Sequence, residues 1–500
     1  MFGLVTKKSA VEAAKATYKK GYAAAEKKAR YGDLKSSRGS ADYELRHGLA
    51  PVRNKSRWLA RNSSGMKRFL GLLSINVIGK NGVLFQSRVR RANGDLDESL
   101  NARVEKDFKD WCKRPTSCGQ LSMVDLQKQM VKSLARDGEA IWEVVYNSRF
   151  KDGIAINPIE ADLLDESLNT THTNGNEIKM GVELDNFNAP VAYHFLTTHP
   201  GDLTWFSHQV KKRYRRVPAD RIIHTYVSDR VGQTRGEPWA STIINSVKMM
   251  DGYREAETMG RRLKSSIMGF FKRVLPGTNG IEELADQESD DGDMLEMMME
   301  PGLLKELAAG LEFQSFDPGG AMTDFAAFET QIKKDISMGL MISNMSLGME
   351  TAGISYSAGR TITLEDRDFY QDVQGFIIDR NLNPIFSLWL SRRIIQIDSL
   401  IPPSRIAIIR DSFVYRPRGW DWVDPKSDVK ANSEALATKQ TSLARVAAQR
   451  GIDRDDLLDE IEEDIRAAKK RGLTLDYNIP KGNTTQPSKD EDDDDETNED

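Results

Sequence analysis

Two cysteines in 500 residues, Cys112 and Cys118, are too few to staple a fold. A disulfide scaffold is thereby excluded, and a reducing compartment fits best. Histidine is scarce as well: His47, His172, His194, His199, His208 and His224 stand at no spacing that a metal site uses along a chain. No apolar run approaches the ~20 residues that cross a bilayer. Phe69 to Gly79 (FLGLLSINVIG) is too short and reads as core. The first residues lack the apolar centre of a secretion signal. Their basic, alanine-rich pattern also fits an organelle transit peptide, but a surface helix is the better reading. Net charge is only −4, so no global attraction to nucleic acid or anionic membrane is expected.

Motifs for chemistry are missing too. No G-x-x-x-x-G-K-S/T phosphate loop occurs; Gly79–Lys80–Asn81 lacks both the upstream glycine and the hydroxyl that would hold magnesium. There is no G-x-S-x-G elbow and no H-E-x-x-H. Asp290, Asp291 and Asp293 lack the alternation of a calcium loop. Glu160 and Asp162 would serve a glycosidase only across a cleft, and read instead as solvated or capping carboxylates. The expectation is therefore no catalytic residue, no metal and no cofactor. A length of 500 residues, with 39% hydrophobic and 29% charged residues, predicts a globular protein of two or more domains.

What is present is uneven charge and a change of pattern along the chain. Residues 1–35 are a basic arm (Lys7, Lys8, Lys15, Lys19, Lys20, Lys27, Lys28, Arg30), and 481–500 are an acidic tail. Two helical patterns lie between Leu100 and Gly138, around Val104, Phe108 and Trp111 and again from Val124 to Leu134. Strand-like runs follow at 140–147, 154–159, 178–184, 191–196 and 221–227, punctuated by Asn, Gly and Pro. Helical periodicity returns from Pro238 to about Val274. A mobile loop of nine acids and no base is expected at 281–300, and a short strand at Gly310–Asp317. Phe325, Phe328, Ile332 and Ile336 recur at helical spacing. Phe369, Val373, Phe376 and Ile377 share the face of another helix, which Pro384 ends or kinks. Between these two helices stands GISYSAGRTITLED (353–366), a joint of small and hydroxyl residues around Tyr356 and Arg360. Residues 431–470 are helical and highly charged. The fold class is α+β.

Six segments together resemble the portal proteins of tailed bacteriophages, the lambda-type portal family. They are RWLARNSSGMKRFLGLLSINVIGKNG (57–82), DGEAIWEVVY (137–146), IEADLLDE (159–166), GVELDNFNAPVAYHF (181–195), RIIHTYVSDRVGQTRGEPW (221–239) and YSAGRTITLED (356–366). None is decisive alone; their shared order and spacing carry the likeness. Ala358 and Gly359 stand where the family usually has serine and alanine, a small-for-small departure.

The resemblance implies a ring, usually of twelve subunits, at one vertex of a virion's icosahedral capsid, assembled in the host cytoplasm. Double-stranded DNA passes through it. The partners implied are the terminase large subunit, scaffold and major capsid protein, and neck or tail adaptors; no membrane is involved. It also implies a layout: wing 36–237, first stem helix 238–274, clip 275–321, second stem helix 322–343, tunnel loop 344–358, long helix and wing return 359–424, and a mainly helical crown 425–480. Asn344, Met345, Met349, Ser355, Tyr356, Ser357 and Arg360 would then belong to the DNA channel. Ser357 or Thr363 would cap the following helix, and Arg360 would touch phosphate or pair with Glu365 or Asp366. Arg261, Arg262, Lys264, Lys272 and Arg273 form a basic cluster at the end of the stem helix, facing the channel or complementing the helix dipole. Arg230, Gln233, Arg235 and Gly236 hold the turn before the stem, with the subunit interface as a possible partner. His224 reads as a satisfied core histidine. A terminase-like ATPase and a head-completion or neck protein are the alternatives; the missing phosphate loop opposes the first and length opposes the second.

Overall fold

The computed structural model describes residues 39–202, 213–265, 269–273, 311–315, 325–348, 350, 352–396, 401–420, 425–450, 452 and 454–473. The expected basic arm, acidic loop and acidic tail lie outside them. In chain order the elements are α1 (Ala41–Asn62), α2 (Ser64–Leu73) running into a π turn (Ser74–Ile78), β1 (Leu84–Ser87), α3 (Glu98–Cys112), α4 (Met123–Asp137), β2 (Glu139–Tyr146), β3 (Ile154–Ile159), β4 (Thr170–Thr171), β5 (Glu177–Lys179), β6 (Val182–Leu184), β7 (Pro190–Leu196), β8 (Tyr214–Pro218) and β9 (Ile222–Tyr226). Then come α5 (Ile244–Ser265), β10 (Gly269–Arg273), β11 (Leu311–Ser315), α6 (Phe325–Gly339), α7 (Asn344–Gly348), α8 (Tyr356–Ile377), α9 (Asn383–Ile394), α10 (Ile406–Asp411), β12 (Phe413–Arg416), α11 (Pro425–Ala437), α12 (Leu443–Gln449) and α13 (Arg454–Lys470). Residues 83–86 and 414–500 form a second unit, in which β1 pairs with β12; the rest of the chain forms the first.

In the first unit local chemistry sets the helix ends. Ser122 and Asp125 form a reciprocal capping box that starts α4, and Gly138, at φ 90°, closes it in the left-handed region. Asp97 starts α3 by accepting from the Leu100 N–H at 3.4 Å. Leu100, Val104, Phe108 and Trp111 then fall on its buried face. Phe108 meets Phe386 and Trp389 of α9 edge-on, at centroid distances of 5.3 and 5.0 Å, which makes an aromatic core.

Two antiparallel sheets make the β part. One is ordered β3-β2-β9 and the other is the meander β4-β5-β6-β7-β8. Side chains alternating along β6 and β7 (Val182, Leu184, Tyr193, Phe195) join Val217, Ile141 and Ile222 in one apolar cluster shared by both sheets. The mix of helices and sheets is the expected α+β class.

Several boundaries differ from those read along the chain. The run 178–184 is two strands, not one, because Met180 and Gly181 turn at φ 48° and 84°. β8 was not visible as a strand: it is an edge strand whose Tyr214, Arg215 and Arg216 are exposed, so it lacks apolar alternation. The helix expected from Pro238 starts at Ile244 after a hydrogen-bonded turn, Ser241 N–H to Pro238 O and Ile243 N–H to Ala240 O. It ends at Ser265 instead of reaching Val274, and Gly269–Arg273 pairs as a strand with the expected strand at Leu311–Ser315. Pro384 kinks rather than ends its helix: a π turn, Ile378–Leu382, leads into α9 with the proline in its first turn. Among the described residues no helix is long and apolar enough to cross a membrane.

Candidate functional site

Three features assemble from the residues singled out above: the turn before α5, the hairpin α5–α6, and the joint between α6 and α8. The turn is held by side chains that come from far away in sequence. Gln233 bridges it, with Nε2 donating to Arg235 O at 2.8 Å and Oε1 accepting the N–H groups of Asp229 and Arg230 at 3.0 and 3.2 Å. Arg230 pairs with Glu44 at 2.8 Å and donates to Gly39 O. Asp42 at the start of α1 accepts from Thr234 N–H and hydroxyl.

Arg235 is fully buried (0% exposed) and satisfies all five of its N–H donors. Nε and Nη2 meet the two Glu139 oxygens, Nη1 donates to Leu164 O and Met180 O at 2.9 and 2.8 Å, and Nη2 also reaches Ala161 O. Glu139, at the first position of β2, accepts further from Arg53 at 2.9 Å and lies 2.9 Å from His224. Burial alone would raise the Glu139 carboxyl, but Arg235, His224 and Arg53 outweigh it and hold it well below the usual range. The same burial pushes His224 down, against the pull of Glu139. His224 is the satisfied core histidine expected of it. All five donors of Arg235 are met by groups of its own chain, which ties the turn before α5 to β2 and to the 161–180 segment.

Gly236 is required by contact. A Cβ there would stand 2.0 Å from Gly138 O, and one on Gly138 would stand 2.6 Å from Gly236 O. The two backbones touch, which fixes the start of the α5 segment against the end of α4.

Glu160 is exposed, as a solvated carboxylate is, whereas Asp162 is half-buried and ion-paired. With His199 they form a group within ligand distance of one another, which the spacing along the chain did not reveal. Arg57 already supplies the cation: it lies 3.1 Å from Glu160 and pairs with Asp162 and Asp137, and Arg53 adds a 2.8 Å bond to Asp162. A guanidinium in place repels a metal ion, so these carboxylates belong to the ionic network.

Helices α5 and α6 run antiparallel. Ser246 bonds Asp335 at 2.6 Å, Arg254 pairs with Glu329, and the Tyr253 and Phe328 rings meet at 4.5 Å. At the base, a Cβ on Gly339 would come 2.5 Å from Ile243, so glycine lets the helices approach. Beyond Val247 no described side chain of α5 is buried. Arg261 bonds Glu257 one turn back at 2.9 Å, a surface pair within the helix. Arg262 is exposed on the same helix and Lys264 sits in its last turn, whereas Lys272 and Arg273 are on β10. The five bases are thus not one helix-end cluster, because the helix stops before the last two.

The joint is narrower than the expected loop 344–358. Asn344 and Met345 lie in α7, which Asp366 ties down by accepting from Ser343 N–H and hydroxyl at 2.8 and 2.6 Å and from the Ser346 hydroxyl. Arg68 donates to Ser346 O, and Asn344 bonds Glu350, itself 2.6 Å from Lys333. Asp366 is therefore taken up by serines, not by Arg360. At the other end α8 begins at Tyr356, with Ser355 as cap accepting from Ala358 N–H at 3.3 Å. Neither Ser357 nor Thr363 caps it; Thr363 bonds Gly359 O inside the helix. Tyr356, Ser357 and Arg360 occupy the first turns of α8, with Tyr356 67% exposed. Met349 lies outside the described residues. Just before α7, Met341 stands exposed at φ 56°, a strained conformation for a long side chain.

The family model for phage portal protein, lambda family, matches residues 27–374. A probable portal protein of Halomonas phage phiHAP-1 is 32% identical over 93% of this chain and 90% of its own. Portal protein B of Escherichia phage lambda is 21% identical over 59% of each chain. A solved chain from the neck of a native gene transfer agent particle, computed with C12 symmetry, aligns at 12% identity and TM-score 0.41 over 80% of this chain and 93% of its own.

Proposed function

The chain belongs to the lambda family of phage portal proteins, and from that premise we propose that it forms the ring-shaped channel at one capsid vertex through which the genome is packaged and ejected. The observation that carries this is the family match over 27–374, which spans the β sheets, the α5–α6 hairpin and most of α8. The role is mechanical. Each subunit presents the same side chains around an axis, so a single charge becomes a belt. A conduit must not grip the phosphates it passes, because each neutralised phosphate adds affinity. The pairing of Arg261 with Glu257 and of Arg254 with Glu329 suits that need, since it cancels positive charge along the hairpin.

The hairpin serves as the stem and β10–β11 as the start of the clip. The joint between the tied-down α7 and the capped α8 serves as the tunnel segment. The ring docks the terminase large subunit during packaging and neck or tail adaptors afterwards, with scaffold and major capsid protein around it. Twelve subunits are the expected number.

Electron microscopy of the purified protein tests the reading. The expected view down the axis is a ring with a hole of roughly 20 Å or more, enough for a duplex whose major groove alone is about 12 Å wide. Compact particles that stay closed after mixing with scaffold and capsid protein would replace it with a head-completion role. Deleting 349–354 is expected to leave the ring intact and to stop packaging; normal packaging by that variant would remove the tunnel assignment.

A further inference from the structure

One end of the sheet β3-β2-β9 carries cations that the chain does not neutralise. Tyr146, the last residue of β2, is exposed, and two guanidinium groups flank its ring. Arg221, just before β9, lies 5.8 Å from the ring centroid, and Arg392 of α9 lies 5.9 Å from it. The β2–β3 loop adds Lys151, and Arg149 resting on the Phe150 ring at 4.6 Å. None of these bases has a carboxylate partner among the described residues. The acids nearby are taken. Asp110 pairs with Lys113, Asp107 with Arg393 and Glu143 with Arg215, and Asp152 is buried and accepts from Trp389 Nε1. Asp220, exposed and next to Arg221 in the chain, offsets only one of the charges.

The loop holds these groups in place. It is closed on itself: Asn147 N–H donates to Gly153 O at 3.2 Å, Gly153 N–H to Phe150 O at 2.9 Å, and Asn147 Oδ1 accepts from Arg149 N–H at 3.0 Å. Gly153, at φ 67°, lies against Arg392. A Cβ there would stand 3.0 Å from Arg392 Nε, so glycine lets the guanidinium rest on the loop. Gln396 has its Oε1 taken by Arg393 at 3.0 Å, and its Nε2 donor lies 3.5 Å from the same Cβ position. Arg392 is half-buried and has no acceptor among the described residues, so it has lost water without gaining a carboxylate. Donors converge here, and no acceptor answers them.

We propose that Arg149, Lys151, Arg221 and Arg392 around Tyr146 form a contact for the phosphate backbone of duplex DNA, separate from the α5–α6 hairpin and from the joint. The planar guanidinium fork matches phosphate geometry, and the Tyr146 hydroxyl and Gln396 Nε2 add neutral donors. A duplex carries one charge for about every 1.7 Å of its axis, so bases spread over a loop, a strand end and a helix each find a phosphate. A small anion would meet only those around one point. Contacts of this kind fix position without reading bases, so the contact is indifferent to sequence. A few of them per subunit are too few to arrest DNA at physiological salt, and passage is preserved. The inference rests on the reading that this chain handles DNA, and adds a second place where it touches it.

Fluorescence anisotropy of a labelled duplex with the full-length protein, followed across salt, tests it. Each neutralised phosphate adds about 0.9 to the slope of log affinity against log salt. Arg221→Gln with Lys151→Gln, both at exposed positions, should lower that slope by about 1.8 and weaken binding roughly tenfold at about 50 mM salt. Arg392→Lys keeps the charge, so it should keep the slope while losing affinity with the fork. Arg46→Gln with Arg61→Gln, exposed bases on α1, removes the same charge elsewhere and should leave the slope nearly unchanged. Circular dichroism checks that each variant folds. An unchanged slope in the Arg221/Lys151 variant would overturn the proposal, and so would an equal drop in the α1 control, which would mean diffuse attraction. Displacement of the duplex by inorganic phosphate at constant ionic strength would mean a single-anion site and would overturn it as well. If the Arg221/Lys151 variant binds duplex normally but forms no rings in the microscope, the patch belongs to a neighbouring subunit instead. Patch-dependent binding by protein that forms no ring would uphold this contact and sink the ring reading, and rings without patch-dependent binding would do the reverse.

Discussion

At the scale of single residues, Arg235 and Glu139 matter most. A buried ion pair loses much on desolvation and holds only if every polar atom is met, and here every donor of Arg235 is met. Removing one partner strands the other. Arg235→Met is expected to cost about 3–5 kcal/mol in urea unfolding of the subunit, with part recovered by adding Glu139→Met. His224 gives a pH prediction. Burial lowers its folded proton affinity, so the unfolded chain binds a proton that the folded one refuses. Its contribution is full above about pH 6.5 and is eroded as pH falls. Glu139 acts in a lower window, because its folded carboxyl is depressed: its contribution is full above about pH 4.3 and is lost as pH falls toward the folded value. His224→Gln should therefore flatten the stability profile between about pH 7 and 5 relative to the parent, and an unchanged slope would show that the proton goes elsewhere. Both residues stood in the quoted segments, yet their pairing joins positions 139 and 235, and no local pattern marks that.

At the scale of elements, the outer half of α5 has little support from its own subunit. Helices draw most of their stability from an apolar face against a partner, and α5 beyond Val247 buries none of its described side chains. Amide exchange over 248–262 is expected to be fast in the isolated subunit and at least about tenfold slower after assembly, because local opening is suppressed when neighbours cover the helix. Equal rates in both states would mean the stem is not covered. The cap of α8 offers a second check. Ser355→Ala should cost about 1 kcal/mol and fray the first turn that carries Tyr356 and Ser357, read as faster exchange there. The helices around this joint were legible from their spacing. The cap was misplaced because serine, threonine and glycine crowd residues 353–363, and only the hydrogen bond to Ala358 N–H distinguishes one hydroxyl from the others.

At the scale of the whole molecule, the net charge of −4 and the internally paired arginines argue for a protein that passes DNA without holding it. Binding of linear duplex at physiological salt is expected to be no tighter than the non-specific range, about 10⁻⁴–10⁻⁶ M, and to weaken further with salt. Nanomolar binding measured by fluorescence anisotropy would contradict a free-running channel. Helices α11, α12 and α13 fall in the second unit.

The sequence by itself determined the family, the α+β class and most helices, because capping residues, apolar spacing and motif order act over a few residues and survive in the string. It also determined that Gly236 and Arg235 mattered, through their place in RVGQTRGEPW. Only the tertiary structure decided why. Arg53, Asp137, Glu139, Asp162, His224 and Arg235 are scattered over more than 180 positions and meet in one buried network. Gly236 meets Gly138 across nearly a hundred residues. Charges act through space, and the sequence records only their order.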